Sequence, residues 1–447
     1  MDRALAIDLI KEFEDEGVPE MIPREIPTLI PKQGKSLTII GPRRAGKTYF
    51  MLDMIKRGKV PLSDVVFMDL EDDRFYPPTT DDIEDFMRVH DELYHDRFPE
   101  IRYILLDEVQ NVPGWQRFVR RIIKDKRNRV FLTGSSSKML AREIATSMRG
   151  RSISNLVLPF SFRECLTAWK VPIPIEPSPK ERTMIAGRLE MYLEFGGYPE
   201  VVDEESPKAR TRLLKDYVET MLLRDVIERN EVSDPQAMRV IMNGLISSFS
   251  KEVSLKKYHG FLGTIGIGIP KNKVYEYVEH LMDAFMFFKL KKIGGGYRTV
   301  EGSFPKVYLI DNGIATQYGM NYRDNRGRFF ENALAIELFR MTGMDPRLKL
   351  DHWKDDRGRE VDFVIKTEGE VRALVQSCID PSDPGTGRRE LDSLVKASDQ
   401  LKCDNLMMVT QDTESSIEWG GRTIGVLPLW KYLTSDHEER LAMIISS

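Results

Sequence analysis

The sequence predicts an α/β protein whose N-terminal third is built on a buried parallel sheet with crossover helices. SLTII at 36, DVVFMDL at 64, IRYILLDE at 101 and RVFLTG at 129 are short apolar runs, each ending in a polar or glycine-rich turn, with helical stretches between them. Strands that are apolar on both faces suit a parallel sheet covered by helices on either side. The second observation is scale. A chain of 447 residues implies about three domains at ~150 residues each, and 30% charged with 41% hydrophobic residues describes an ordinary folded chain. These proportions exclude wholesale disorder and a lone small binding module.

The net charge of −4, from 66 Lys plus Arg against 70 Asp plus Glu, argues against a polycationic coat protein. Three widely spaced cysteines, Cys165, Cys378 and Cys403, cannot make a disulfide framework and fit a reducing compartment, so a cytoplasmic protein is expected. The six histidines never approach a second ligand at metal spacing, which removes a zinc motif. The N-terminus is amphipathic and acidic, unlike a secretion signal, and no window reaches ~18 uninterrupted apolar residues. No membrane partner is expected.

Residues 1–35 read as a helix and a lead-in punctuated by Pro19, Pro23, Pro27 and Pro31, which cannot sustain helix. The periodicity changes at Ser36. GPRRAGKT, Gly41 to Thr48, matches the phosphate-binding pattern G-x-x-x-x-G-K-[ST] and sits between the strand SLTII and the helical YFMLDMIKRG. Gly41 and Gly46 let the backbone curl, so that the loop Pro42-Arg43-Arg44-Ala45, through the N–H groups that follow Pro42, and the helix N-terminus cradle an anion. Lys47 supplies a point charge for β- and γ-phosphates, and Thr48 a hydroxyl for Mg2+. ATP and Mg2+ are therefore the expected cofactors.

In IRYILLDEV, Asp107 ends a buried strand where it would hold Mg2+ through water, and Glu108 would polarise the attacking water. The alternative is that the two carboxylates cap the following turn. RVFLTGSSS ends in hydroxyls, and Ser135 is the candidate to orient the lytic water, or else to cap the next helix. Arg149 and Arg151 in MRGRS would stabilise the transferred phosphoryl group, in cis or from a neighbouring subunit, or simply complement a helix dipole.

GPRRAGKT, ILLDEVQNVPGW, FLTGSSS, SMRGRS, LPFSFREC and EFGGYPEVV, in that order, resemble a large prokaryotic ATPase family best known from archaea. Its members join an AAA-type P-loop domain to a C-terminal region of undescribed function, and the resemblance spans about residues 36–380. It implies a RecA/AAA-type sheet with an additional strand, ATP hydrolysis and homo-oligomers. It also implies a winged helix and a restriction-endonuclease-like fold beyond the core. The expected organisation is a P-loop ATPase core at 36–165, a helical lid at 166–235, a winged helix at 236–310 and the endonuclease-like α/β domain at 325–447.

Within the middle region, SLKKYHGFLGTIGIGIPKNKVYEYVEHLMDAFMFFKLKKIGGGYR follows the helix, turn, helix and β-ribbon order of a winged helix-turn-helix. From Lys251 to Arg298 there are nine basic and four acidic residues, a balance of +5, which makes double-stranded DNA an expected partner. Lys271, Asn272 and Lys273 at the helix start, with Lys291, Lys292 and Arg298 on the wing, are the candidate contacts. Packing without DNA is the competing reading. A second basic run, Arg117 to Arg129, reads as a solvated helix face or a contact for nucleic acid or a subunit.

The C-terminal region carries Glu331 on a helix, Asp362 on the strand GREVDFVI, and Gln376 and Cys378 on VRALVQSC. Endonucleases of the implied type place an Asp on one strand and Glu-x-Lys on the next. Gln376 and Cys378 stand in place of that acid and lysine, so the domain is expected to be a degenerate nuclease. Lys366 or Glu331 would rescue it only if brought close. The leading expectation is an AAA-type ATPase coupling nucleotide state to a conformational change, on nucleic acid. A nucleotide-gated DNA-binding switch with slow hydrolysis is the alternative, and an active Mg-dependent nuclease comes last.

Overall fold

A computed structural model describes residues 1–95, 100–136, 151–293, 305–318, 320–383 and 385–445. The chain divides into two compact units: residues 1–158 with 283–285, and residues 159–282 with 286–447. Among the described residues no helix is long and apolar enough to cross a membrane.

In the first unit, helix α1 (Arg3–Glu16) ends where Gly17 takes a left-handed φ of 65°. Strands β1 (Ser36–Ile40), β2 (Val65–Asp69), β3 (Arg102–Asp107), β4 (Asn128–Gly134) and β5 (Ser152–Leu156) form one parallel sheet in the order β2-β3-β4-β1-β5. β4 thus lies between the glycine-loop strand β1 and the carboxylate strand β3, which is the additional strand of the RecA/AAA arrangement. The α/β P-loop NTPase fold expected from the sequence is the fold observed.

Alternation along the strands builds both faces of this sheet. Val66, Met68, Ile104, Leu106, Val130 and Leu132 pack with Ile83 and Phe86 of helix α3 (Thr80–Leu93) and with Trp115 and Phe118 of helix α4 (Trp115–Ile122). Leu37, Ile39, Leu105 and Phe131 face the other way, onto Phe50, Met51 and Met54 of helix α2 (Lys47–Arg57). Each such large side chain withdrawn from water is worth about 1.5–3 kcal/mol. The strands have no freedom to slip by one residue without exchanging these two faces. That fixes the C-terminal strand ends, where the polar residues gather, along one edge.

The second unit begins with the helices Phe162–Ala168, Pro179–Phe195, Pro199–Asp203 and Pro207–Thr220, the last running on into π-helical turns at Met221–Glu228. Its sheet has nine strands among the described residues: β6 (Lys251–Glu252), β7 (Phe287–Ile293), β8 (Lys306–Leu309), β9 (Leu348–Lys354), β10 (Glu360–Thr367), β11 (Glu370–Ser377), β12 (Leu406–Thr410), β13 (Ser415–Trp419) and β14 (Arg422–Pro428). Their order is β13-β14-β12-β11-β10-β9-β7-β8-β6. β7 pairs with β8 through Phe287–Leu290 and then with β9 through Lys291–Ile293, so one strand bridges the two halves of the sheet. The boundaries expected at 166, 236 and 325 accordingly fall inside this unit. The Gly196-Gly197 turn is a packed joint of the same unit. A Cβ at Gly196 would lie 1.8 Å from Asp311 Oδ1, one at Gly197 2.2 Å from the Phe160 carbonyl oxygen, and Asp311 Oδ2 accepts the Gly197 N–H at 2.7 Å.

Candidate nucleotide site

The loop Gly41–Gly46 leads from β1 into α2, and two glycines are indispensable to its path. Gly46, the N-cap of α2, has φ 87° and ψ 32°, and a Cβ on Gly41 would meet the Val157 carbonyl oxygen at 1.9 Å. Arg44 also takes a left-handed φ of 66°, so the loop curls through successive unusual conformations. A curled glycine loop running into a helix N-terminus is the arrangement that can hold an anion.

Lys47, at the first turn of α2, is buried, and its ammonium donates to the Pro42 carbonyl at 3.2 Å and lies 3.1 Å from Glu108 Oε1. Thr48 Oγ1 donates to Asp107 Oδ2 at 2.6 Å. Asp107 Oδ1 accepts the hydroxyl of Thr133 from β4, and the same Thr133 Oγ1 accepts the Glu108 N–H at 2.9 Å. Glu108 stands at φ 50°, and Gln110 donates to its Oε2. Five groups from β3, β4 and α2 therefore meet at the C-terminal edge of the sheet. Burial, and next the neighbouring Glu108 charge, push Asp107 above the ordinary carboxylate range. Burial is the largest single influence on Glu108 and would raise it too, but Lys47, the Gln110 hydrogen bond and Arg43 together outweigh it and hold that group ionised.

The residues fit a Mg-nucleotide: a glycine-built anion cradle, a buried lysine, and a hydroxyl and carboxylate in mutual contact as hard oxygen donors. Among the described residues no group of three or more His, Cys, Asp or Glu is placed to hold a metal on its own.

Two contributors escaped the sequence reading. Thr133, not Ser135, brings the β4 hydroxyl to Asp107, because its position in the strand points it at β3 while Ser135 is past the strand end. The buried Arg24 reaches from the proline-punctuated lead-in to the Ala45 carbonyl at 2.8 Å and to the Leu158 carbonyl, bracing the glycine loop. Arg24 carries no motif signal. Arg43 forms a bidentate pair with Glu71 at 2.9 and 3.0 Å. Arg151 is exposed at the approach to β5, and its carbonyl accepts the Ser36 N–H at 2.8 Å; Arg149 lies outside the described residues. In the Arg117–Arg129 run, Arg121 pairs with Glu84 of α3 and stacks 5.3 Å from the Phe118 ring, and Arg127 pairs with Asp125.

In the second unit, Lys271 and Asn272 are exposed at the start of the helix Lys271–Asp283, and Lys273 pairs with Glu276 at 2.8 Å. Lys291 and Lys292, expected on the wing, lie at the end of β7, where it registers with Asp351 and His352 of β9. Arg298 lies outside the described residues. Glu331, Asp362, Gln376 and Cys378 do converge, lining a cavity of about 520 Å³ together with Lys306 and Glu360. Lys366 pairs instead with Asp351.

This fold and loop define an AAA-type P-loop ATPase domain, and residues 33–166 match the family model described as an AAA domain. Residues 186–323 match a model described as a domain of unknown function. The chain belongs to the same family as the uncharacterized protein MJ1544 of Methanocaldococcus jannaschii, to which it is 31% identical over 410 residues, 90% of this chain and 89% of the relative. An uncharacterized protein of Haemophilus influenzae is 25% identical over 374 residues, 81% of this chain and 86% of its own. Among solved structures, AMPPCP-bound DnaA from Aquifex aeolicus overlaps 62% of this chain and 87% of its own at 11% identity, with a TM-score of 0.24. That overlap is too shallow to bear on this chain.

Proposed function

We propose that this protein binds and hydrolyses ATP with Mg2+ and uses the nucleotide state to drive a conformational change. The observation that carries the reading is the convergence of Lys47, Thr48, Asp107, Glu108 and Thr133 beside the glycine loop. Mg-ATP supplies a γ-phosphoryl group open to attack by water once its charge is neutralised. The loop amides and Lys47 hold the phosphates, and Thr48 and Asp107 hold the metal. Glu108 accepts the proton of the attacking water, and Thr133 fixes both carboxylates by bonding one side chain and the next backbone amide. A site that merely bound nucleotide would have no use for a second carboxylate kept ionised by Lys47, Gln110 and Arg43.

In our reading, the order of the helices Pro235–Ser247, Leu255–Thr264 and Lys271–Asp283 with β6, β7 and β8 is that of a winged helix, and the region from β9 onward is a degenerate endonuclease fold. A nucleotide-gated switch on double-stranded DNA is the second reading. The exposed Lys256, Lys257, Lys271, Asn272 and Tyr275 on its helices favour it. Self-association, with Arg149 or Arg151 reaching a neighbouring copy, is part of the leading reading. The protein is expected in the cytoplasm.

The test is phosphate release from ATP by purified full-length protein, with nucleotide binding measured alongside. Lys47→Ala should abolish both. Turnover that survives Lys47→Ala would remove this site from the reaction.

A further inference from the structure

Lys306 is the first residue of β8, and its side chain is 3% exposed. Its ammonium makes three short contacts: Glu360 Oε1 at 2.6 Å, Asp362 Oδ1 at 2.7 Å and Glu331 Oε1 at 2.8 Å. An ammonium has three N–H donors and no acceptor, so three acidic side chains, two from β10 and one from the helix Arg326–Met344, use it completely. Each of these acids also meets a further donor, Lys354 at 3.3 Å in the case of Glu360 Oε2. Asp362 Oδ2 accepts from Gln376 Nε2 at 3.0 Å, Ser377 N at 3.0 Å and Ser377 Oγ at 2.7 Å, and Tyr308 donates to Glu331 Oε1 at 2.8 Å.

Gln376 is equally committed. Its carbonyl accepts the Asp362 N–H at 3.1 Å, and its amide bridges Asp362 and Glu390, the latter at 2.7 Å. Both groups that face the carboxylates are therefore donors. A divalent ion needs the opposite: several convergent oxygens with free lone pairs. Charge points the same way, because buried carboxylates in this number are stable only with a cation among them.

We infer that Lys306 is the resident cation of this cavity, doing electrostatically what a divalent metal would do, so that the carboxylate cluster takes no metal ion while Lys306 is present. The compact ammonium suits the role where a planar guanidinium could not meet three acids from different elements. Gln376 completes the arrangement by donating where a carboxylate would add a further negative charge. The cavity is thereby a metal-independent internal tie joining β8, β10, β11 and the helices Arg326–Met344 and Thr386–Leu401. The inference is independent of the ATPase reading, and ATP turnover is not its readout.

The experiment is Mn2+ titration of nucleotide-free full-length protein followed by electron paramagnetic resonance. Lys306→Met should gain a tightly bound Mn2+ that wild type lacks, and the gain should vanish in Lys306→Met combined with Asp362→Asn. A well-folded Lys306→Met that gains none overturns the inference. If Lys306→Met folds only with Mn2+ present, the inference is supported. If it fails to fold under either condition, wild type and Glu360→Gln decide: equal Mn2+ binding by the two supports it, and a wild-type site lost in Glu360→Gln overturns it.

Discussion

Among the described residues, two buried lysines sit beside acidic side chains, and they are used in opposite ways. Lys47 faces a single carboxylate, Glu108, and a backbone carbonyl, at the start of a helix whose glycine-built entrance keeps side chains away. Lys306 faces three acids, and each has a further donor: Tyr308 for Glu331, Lys354 for Glu360, and Gln376 with Ser377 for Asp362. The first lysine can be drawn to an incoming anion at the cost of one ion pair. The second cannot leave without stranding three acids, a penalty that for even one broken buried pair is about 3–5 kcal/mol. The difference teaches that a cation among acids is a binding device only where its partners are few and exchangeable. Where they are many and satisfied, it is part of the frame.

The sharpest way to strain this contrast is at Thr133, which organises both acids on the nucleotide side. Thr133→Val removes the donor to Asp107 and the acceptor for the Glu108 amide, both buried. Each group left without a partner costs about 1–3 kcal/mol, so the first unit should melt earlier by denaturant titration. Turnover should fall on the order of a hundredfold as the acids lose their positions. An unchanged melting profile would show that the acids on the nucleotide side are held by something else.

A smaller effect belongs to the other side. Burial, and next Asp362, push Glu331 up to about 8, against an ordinary value of 4.5. The folded protein then holds a proton there that the unfolded chain releases, so stability falls as pH rises from about 4.5 to 8. The slope from one such proton is at most about 1.4 kcal/mol per pH unit. Asp311, raised to about 6 chiefly by burial, adds to the same slope only below that value. Glu331→Gln should therefore flatten denaturant stability between pH 6 and 8. A slope unaltered by this substitution would mean that Lys306 and Tyr308 hold Glu331 ionised against its burial and the Asp362 charge.

Much of the first unit was legible because its signals are local. The glycine pattern, the apolar strands and the Asp107-Glu108 pair each follow from neighbouring residues, and the strand order places them together. Thr133 was legible only in part. The run of hydroxyls ending β4 was visible, but which one meets Asp107 depends on strand register across the β3–β4 pairing. Arg24 was silent, since an arginine in a proline-rich lead-in has no local mark of the carbonyls it will brace. In the second unit, Glu331, Asp362 and Gln376 were placed by resemblance and do converge. Lys306 was missed because it comes from a strand expected to belong to a separate winged helix, and only the bridging strand β7 brings that strand into the same sheet. Long-range pairing of this kind leaves no periodicity behind.

The central claim is that Glu108 is the base of an ATP-hydrolysing site and not a turn cap. Glu108→Gln keeps the size and hydrogen-bonding reach of the side chain and removes its charge. Steady-state phosphate release and equilibrium ATP binding should be measured on the same preparation of this variant and of wild type. The account predicts ATP binding preserved and turnover reduced by about 10²–10⁴-fold, the usual contribution of a positioned base. Wild-type turnover in Glu108→Gln, with binding intact, would contradict it.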